Sequence, residues 1–279
     1  MSFSLSQENL QQLISLCQDA GQAIMAIYQR SEGFSIDAKA DNSPLTEADL
    51  AAHKLLEQGL IALTADIPVL SEESESPDFA TRKSWSRYWI VDPLDGTKEF
   101  IKRSGEFTVN VALIENGVPV MGVVHVPALS ITYGAINQPA SAEHGAWKHE
   151  ADKTTSIKVR SLPADTAVAV VASRNHGAEE VVALLDRIGA TLGPAETTSM
   201  GSSLKLCLVA EGKADLYPRL APTCEWDTAA AQAVVEAAGG QVVDDQLAVL
   251  RYNQKDSLLN PHFYVIGDTD YEWQRILKS

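Results

Sequence analysis

Apolar residues recur along one helical face near the N-terminus and with a shorter, strand-like period in the middle of the chain. Residues 6–30 place leucine and isoleucine on one stripe, and Ser6 stands where a helix N-cap is expected. Residues 46–62 repeat the helical spacing after a polar segment. Two amphipathic helices are therefore predicted before the first long strand.

The pattern changes to strands between residues 84 and 136. Residues 107–114 have the period of a strand, Asn116 and Gly117 form a strong hairpin signal, and residues 118–126 resume the strand. This part of the chain predicts an antiparallel meander.

The second half alternates strands with helices. Residues 150–156 are polar, so we place a boundary there between an N-terminal lobe, residues 1–150, and a C-terminal lobe, residues 151–279. Strands are predicted near 167–172 and 214–217, and helices near 179–188, 202–211 and 228–238. Such alternation is typical of α/β proteins, so the fold class of the whole chain is predicted to be α/β (α+β).

Composition and charge limit the possible functions. With 45% hydrophobic and 21% charged residues in 279, the chain has the balance of an ordinary globular protein. Its formal net charge of -15 argues against binding to a nucleic acid polymer, because no basic surplus exists to neutralise backbone phosphates. An acidic protein that handles phosphates needs metal ions or local basic side chains.

Cysteine content and hydropathy indicate which cellular compartment is expected for the chain. Cys17, Cys207 and Cys224 leave an odd count without a Cys-x-x-Cys pair, which indicates neither a disulfide framework nor a thiolate metal site. The sequence shows no secretory leader and no apolar run of about eighteen residues. We expect a cytoplasmic protein without a transmembrane segment, and peripheral association with the cytoplasmic side of the inner membrane stays open.

The strongest chemical signal follows an apolar strand at residues 87–91. Asp92 and Asp95 flank Pro93, which turns the chain so that both carboxylates can face one centre. The carbonyl of Leu94 lies between them as a third oxygen ligand. Such oxygen ligands suit a hard divalent cation such as Mg²⁺, whereas an ordinary strand-to-turn corner is the competing interpretation.

The next two residues fit a phosphate site. Gly96 lets the backbone approach a ligand closely, and the N–H groups that follow can cradle an anion at the start of a short helix. The hydroxyl of Thr97 can orient a water molecule. Cation, phosphate and nucleophile could therefore meet at this point.

Further acids stand at the ends of other predicted elements. Glu72 and Glu73 follow a short apolar strand, and we favour Glu72 as a ligand because adjacent strand residues face opposite sides. Asp227 precedes an alanine-rich helix, and Asp49 lies in the first turn of a helix. Helix capping alone explains the last two equally well.

Three motifs together carry a family resemblance: Glu-Glu-Ser at 72–74, Asp-Pro-Leu-Asp-Gly-Thr at 92–97 and Trp-Asp-Thr-Ala-Ala at 226–230. They resemble the inositol monophosphatase superfamily of magnesium-dependent, lithium-sensitive phosphatases. The resemblance implies a layered αβαβα sandwich of the inositol monophosphatase/fructose bisphosphatase type, in two lobes. It also implies about two or three Mg²⁺ ions per site, held by Glu72, Asp92, the Leu94 carbonyl, Asp95 and Asp227. Glu72, Thr97 and Asp49 are the implied catalytic residues, which position a metal-activated water for in-line attack on phosphorus.

The remaining motifs look like those of the CysQ-type 3′(2′),5′-bisphosphate nucleotidases: residues 96–101, 201–205 and 216–220. This resemblance implies hydrolysis of 3′-phosphoadenosine 5′-phosphate to AMP and phosphate, with a role in sulfate assimilation and nucleotide recycling. A second phosphate beyond the reach of the metals would be held by Lys205, Arg219 and the Ser202 hydroxyl. The implied substrate-binding residues are Gly96, Thr97, Ser173, His176, Ser202, Lys205, Arg219 and Asp227. The chain departs from the common pattern at residues 223–225.

Three alternatives stay open from the sequence. Inositol monophosphatase or sugar bisphosphatase activity would use the same metals with a different pocket. A haloacid-dehalogenase-type phosphatase has Asp-x-Asp-Gly-Thr, whereas here one more residue separates the acids. A metal-binding interaction module without activity is the third, and the full set of acids together with Thr97 argues against it.

Overall fold

The computed structural model describes residues 3–31, 33–38, 44–163, 166–172 and 178–277. The helices in these ranges are α1 (Gln7–Tyr28), α2 (Glu47–Leu63), α3 (Phe79–Lys83), α4 (Thr97–Ile101), α5 (Ala178–Leu192), α6 (Leu204–Ala210), α7 (Ala229–Ala237) and α8 (Gln274–Leu277). Two 3₁₀ turns cover Pro127–Leu129 and Glu225–Asp227.

The strands are β1 (Ile36–Ala38), β2 (Pro44–Thr46), β3 (Val69–Ser71), β4 (Arg87–Asp95), β5 (Thr108–Glu115), β6 (Val118–Val126), β7 (Ile131–Ile136), β8 (Gly145–Glu150), β9 (Lys153–Ser156), β10 (Ala169–Ala172), β11 (Glu196–Ser199), β12 (Leu216–Arg219), β13 (Gln241–Asp244) and β14 (Phe263–Ile266). The large sheet has the order β3-β4-β5-β6-β7-β8-β9 and is antiparallel except for the pair β3/β4. The small sheet has the order β11-β10-β12-β14-β13, and β1 pairs with β2.

Packing of the helices produces five layers. Helices α1 and α2 cover one face of the large sheet, α6 and α7 lie between the two sheets, and α5 and α8 cover the far face of the small sheet. The predicted α/β (α+β) class and the αβαβα layering are both confirmed.

Alternation along the strands sorts the side chains between these layers. On β4, Trp89 and Val91 pack with α1 and α2, whereas Tyr88 and Ile90 pack with the middle helices. The same alternation runs along β5 and β6. Up to Asp92, the even-numbered residues of β4 therefore face the middle layer, as those of β5 do, whereas Leu94 packs with α1 and α2.

Several sequence expectations are confirmed locally. Ser6 caps α1 by accepting a hydrogen bond from the Asn9 N–H at 3.3 Å. The hairpin at Asn116 and Gly117 joins β5 to β6, and both residues have positive φ as a tight turn requires. Helix α7 packs closely on β6, which explains why small residues occur at this contact. A Cβ on Gly122 of β6 would lie only 2.4 Å from the Ala230 carbonyl oxygen of α7. The helix and the sheet thus touch backbone to backbone.

The predicted lobe boundary at 150 and 151 coincides with the turn between β8 and β9 at one edge of the large sheet, where Glu150 pairs with Lys153. The large sheet ends at Ser156, and the small sheet begins at Ala169. The division into two lobes stays a prediction. Within the part of the chain that the structure describes, no helix has both the length and the apolar character needed to cross a membrane.

Candidate active site

A β-bulge near the end of β4 brings Asp92 and Asp95 to the same side of the large sheet. Asp92 pairs with Asn110 and Asp95 pairs with Thr108, so three residues along β4 are matched by only two along β5. On a regular strand, residues three apart point to opposite faces of the sheet. The extra residue in the bulge turns Asp95 back to the face on which Asp92 lies. Both carboxylates therefore face the middle layer, as the sequence analysis expected of a shared centre.

Three carboxylates converge in front of β4. One oxygen each from Glu72, Asp92 and Asp227 lies within 4.8 Å of the other two. Glu72 comes to this place because its N–H donates to the Val91 carbonyl at 3.1 Å, which continues the parallel pairing of β3 with β4. This structural grouping includes Glu72, as the sequence analysis favoured.

Short-range hydrogen bonds fix two of these acids. The Leu94 N–H donates to Asp92 Oδ1 at 3.0 Å, which closes a turn over the bulge. The Cys224 N–H donates to Asp227 Oδ2 at 2.8 Å in the 3₁₀ turn that precedes α7. The Asp227 side chain thus stabilises this 3₁₀ turn and does not cap α7.

The cluster concentrates negative charge in a buried place. Burial, followed by the charges of Glu72, Asp95 and Asp227, raises the pKa of Asp92 well above its usual range. Burial and then the Asp95 charge raise the pKa of Asp227 to about 8. Like charges held together without a cation are unfavourable, so the arrangement is incomplete without a positive charge at its centre.

Asp49 performs two tasks at once. Its Oδ2 accepts hydrogen bonds from the N–H and hydroxyl of Thr46, at 2.8 and 2.5 Å, in a capping box at the start of α2. Its Oδ1 lies 3.2 Å from the Thr97 hydroxyl, which is also 3.3 Å from the Leu94 carbonyl oxygen. The capping and functional interpretations of Asp49 are thus compatible.

Asp95 points its Oδ2 toward the neighbouring segment rather than into the three-acid group. That oxygen accepts hydrogen bonds from the Ser203 N–H at 2.6 Å and the Ser203 hydroxyl at 2.7 Å. The Thr108 hydroxyl lies 3.4 Å away. Asp95 therefore connects the end of β4 to the start of α6.

Gly96 makes a close approach possible beside these acids. Its φ is +91°, and a Cβ there would lie 3.1 Å from the Glu106 carbonyl oxygen and 3.4 Å from Ser202 Cβ. Gly96 is the N-cap residue of α4 and gives no side-chain hydrogen bond to the first N–H groups of that helix.

A cleft extends from the acids to two basic side chains. Asp95, Gly96, Ser202, Lys205, Arg219 and Asp227 all line it. The Lys205 ammonium donates to the Ser202 carbonyl oxygen at 2.7 Å and lies 5.3 Å from the centroid of the Tyr217 ring. Arg219 donates to the carbonyl oxygens of residues 221 and 222, at 3.1 and 2.9 Å.

Burial changes the acid–base behaviour of Lys205. Loss of solvent, followed by the charge of Arg219, lowers its pKa to about 8, although Asp95, Glu99 and Glu106 act in the opposite direction. The ammonium is thus close to its titration range at neutral pH and is not an ordinary solvated surface charge. The two remaining substrate-binding candidates, Ser173 and His176, lie outside the described residues.

Comparison with known proteins agrees with this geometry. The sequence profile of the Inositol monophosphatase family matches residues 6–271. The chain belongs to the inositol monophosphatase family.

Relatives within this family are close. The chain is 50% identical over 256 residues to a protein of Escherichia coli (strain K12) named 3′(2′),5′-bisphosphate nucleotidase CysQ, with 92% of this chain and 98% of that protein covered. It is 36% identical over 276 residues to the protein of that name from Haemophilus influenzae, covering 99% and 98%.

Among solved structures, CysQ from Bacteroides thetaiotaomicron is 42% identical with a TM-score of 0.78, covering 94% of this chain and 97% of that one. It is described as a bacterial member of the inositol monophosphatase family. The five-layer fold therefore agrees with a solved structure of this family.

The polar residues around Asp95 and Asp227 were not identified from the sequence. Asn110 donates through Nδ2 to the Ser203 hydroxyl at 2.9 Å, while its buried Oδ1 has no hydrogen-bond partner in the described structure. Thr108 and Asn110 are polar residues two apart on an otherwise apolar strand, so both face one side. That spacing was the available signal. Ser203 lies within the motif at residues 201–205, but no role of its own was predicted for it.

Proposed function

We propose that this chain hydrolyses 3′-phosphoadenosine 5′-phosphate, a 3′(2′),5′-bisphosphate nucleotide, to AMP and phosphate, with Mg²⁺ as its cofactor. One observation carries the proposal: a single cleft is lined both by Asp95 and Asp227, which we call its acidic end, and by Lys205 and Arg219, which we call its basic end. A substrate with two phosphates matches both ends, since one phosphate needs a metal and the other a basic partner. The names of the CysQ relatives support the same substrate class.

The donor set fits Mg²⁺. Glu72, Asp92 and Asp227 offer carboxylate oxygens and Leu94 a carbonyl, which are the oxygen ligands that Mg²⁺ prefers. Burial and the charges of neighbouring carboxylates raise the pKa values of Asp92 and Asp227, so a cation bound there would stabilise their ionised forms. We propose Asp95 as a further ligand through its Oδ1. When bound, Mg²⁺ would supply positive charge that stabilises the attacking and leaving oxygens.

The side chains around the acids can manage the protons of the reaction. The Thr97 hydroxyl donates to Asp49 Oδ1, which leaves its lone pairs to accept a hydrogen bond from water. Glu72, beside Thr97 in the proposal, accepts the other proton of that water. The oxygen of water then bonds to phosphorus in line and the bond from phosphorus to the 3′ oxygen breaks. That oxygen takes a proton from solvent, and Glu72 later releases to solvent the proton it accepted.

Specificity belongs to the other end of the cleft. Lys205 and Arg219, with the Ser202 hydroxyl, are proposed to hold the phosphate that is not cleaved. Gly96 and Thr97 are proposed to contact the phosphate that is cleaved, through the N–H groups at the start of α4. A singly phosphorylated inositol would leave the basic end without a partner, which argues against that alternative.

A substrate comparison tests the proposal directly. Phosphate release is measured from 3′-phosphoadenosine 5′-phosphate, inositol 1-phosphate and fructose 1,6-bisphosphate, with Mg²⁺, with a chelator and with lithium. We expect the nucleotide to have the highest kcat/KM, and activity to vanish with the chelator. A preference for inositol 1-phosphate would contradict the assignment of the basic end, and activity without any divalent cation would contradict the assignment of the acids.

The cellular setting is part of the proposal. A cytoplasmic location and a role in nucleotide recycling during sulfate assimilation follow from the substrate class. Peripheral association with the inner membrane stays a separate prediction. Fractionation of cells that express the tagged chain would distinguish the two locations.

A further inference from the structure

Ser203 occupies a junction between the acids and the segment that leads to Lys205. Its side chain is 2% exposed, and it precedes α6. Its contacts reach three separate parts of the site.

The hydroxyl of Ser203 is fully used. It lies 2.7 Å from Asp95 Oδ2 and 2.7 Å from the Asp227 carbonyl oxygen, and it accepts a hydrogen bond from Asn110 Nδ2 at 2.9 Å. Because the Asn110 amide supplies a proton from one side, the single hydroxyl proton is directed to the two acceptors on the other. The end of β4, the middle of β5 and the 3₁₀ turn before α7 are thus joined at one oxygen.

These contacts decide which oxygen Asp95 can present to a cation. Its Oδ2 receives the backbone N–H of Ser203 as well as the hydroxyl, and Thr108 lies nearby. An oxygen with that many donors is a poor metal ligand, which leaves Oδ1 for the cation. The orientation of the Asp95 carboxylate therefore depends on Ser203.

Ser203 also connects the cation end to the basic end of the cleft. The residue before it, Ser202, has a φ of +47°, in the left-handed region that costs a non-glycine residue free energy. The Lys205 ammonium donates to the carbonyl oxygen of Ser202. The turn 202–205 is held on one side by Asp95, through Ser203, and on the other by Lys205.

We propose that Ser203 is a positioning residue: its hydroxyl orients Asp95 and holds the turn that carries Asp227, so that both acids can bind Mg²⁺. Residues that orient metal ligands typically contribute about 10- to 100-fold to metal affinity or activity. The connection to the nucleotide end rests on the proposed function, whereas the effect on the cation does not.

The test measures Mg²⁺ binding by calorimetry on the full chain without nucleotide. We expect Ser203→Ala to weaken Mg²⁺ affinity by about tenfold. Ser203→Thr, which keeps a hydroxyl, should recover at least part of the affinity. Turnover of 3′-phosphoadenosine 5′-phosphate by the unmodified chain is measured separately, so a failure of the proposed function is distinguished from a failure of this inference.

Thr64 provides a matched control. Its hydroxyl is also buried, accepts a hydrogen bond from a buried side-chain N–H, Trp89 Nε1, at 2.8 Å, and donates to the Leu60 carbonyl at 3.0 Å. Thr64→Val therefore removes a comparable set of bonds near the start of β4. We expect it to lower the Tm while Mg²⁺ affinity stays within about twofold of the unmodified chain.

Two results would overturn the inference: unchanged Mg²⁺ affinity in Ser203→Ala, or equal losses of affinity in Ser203→Ala and Thr64→Val. If Ser203→Ala shows no cooperative unfolding transition, Asn110→Leu replaces it, because that change removes only the donor that directs the hydroxyl. It should weaken Mg²⁺ binding by about threefold, and unchanged affinity in that variant would likewise count against the role of Ser203.

Discussion

The two ends of the cleft are built on opposite principles. At the acidic end, Asp227 lines the cleft and lies beside Glu72 and Asp92, and burial together with neighbouring negative charges raises the pKa values of Asp92 and Asp227. At the basic end, Lys205 and Arg219 each donate to neutral backbone carbonyls. The acidic end needs its ligand to be electrostatically satisfied, whereas the basic end is held in place beforehand. We therefore expect changes at the acidic end to affect catalysis and metal-free stability together, and changes at the basic end to affect substrate choice.

The largest effect is expected from Asp92→Asn. The amide keeps an oxygen for the Leu94 N–H but removes one negative charge from the cluster. We expect kcat to fall by about 10³-fold, because a metal ligand is lost. The Tm of the metal-free protein should rise, because repulsion between carboxylates decreases.

Steady-state kinetics and metal-free thermal unfolding check both parts. A variant that keeps most of its kcat would show that Asp92 is not required for the cation. A Tm that falls would instead show that Asp92 stabilises the metal-free fold, which would remove the contrast drawn between the two ends.

Lys205→Met should have the next largest effect. The methionine keeps an apolar stem beside Tyr217 and removes the charge. We expect KM for 3′-phosphoadenosine 5′-phosphate to rise by about 30-fold, in line with a lost charge-assisted bond of ~2 kcal/mol. KM for a singly phosphorylated ester should change little. Lys102→Ala, at an exposed lysine just beyond α4, is the control, and equal effects of Lys205→Met on both substrates would exclude Lys205 from the second phosphate site.

A smaller effect is expected from pH. The pKa of Lys205 is lowered to about 8, so its ammonium is present below pH 8 and is lost as pH rises above that value. Between pH 7 and 9, kcat/KM for the bisphosphate nucleotide should therefore fall by about five- to tenfold more than for a singly phosphorylated ester. In Lys205→Arg the difference should disappear, since the guanidinium stays charged. Parallel profiles for the two substrates in the unmodified chain would contradict the assignment.

The smallest effect concerns backbone strain at the basic end. Ser202 has a φ of +47°, so glycine should be tolerated better there than alanine. Ser202→Gly should have a free energy of unfolding about 1 kcal/mol higher than Ser202→Ala, measured by urea denaturation. Both variants lack the hydroxyl, so a difference between them reports the backbone alone. Equal stabilities would indicate that this turn relaxes without cost.

The fold was predictable where its signals were local. The periods of residues 6–30 and 107–126 predicted α1 and the β5–β6 hairpin, because each element has its own apolar face. The pairs β1/β2 and β8/β9 and the strand β11 were not predicted. Most of their residues are polar or exposed, and they join sheets through backbone hydrogen bonds that leave little apolar period.

The site was predictable to a similar extent. Acids at the ends of apolar strands pointed to Glu72 and Asp92, and the family resemblance pointed to Lys205 and Arg219. Ser203 lies in the motif at residues 201–205, but the role proposed for it could not be predicted, because its contacts are with residues 93 and 108 positions away in the sequence.

The bulge between Asp92 and Asp95 also has a consequence for folding. If β4 slipped by one residue against β5, its even-numbered side chains would turn towards α1 and α2, into the apolar layer that contains Trp89 and Val91. The Leu94 N–H bond to Asp92 lies within β4 and would persist, but Asp95 buried there would lack the donors that Ser203 supplies. The acids proposed for catalysis thus also select the correct strand pairing while the chain folds, so replacing them would make mispaired hairpins less unfavourable.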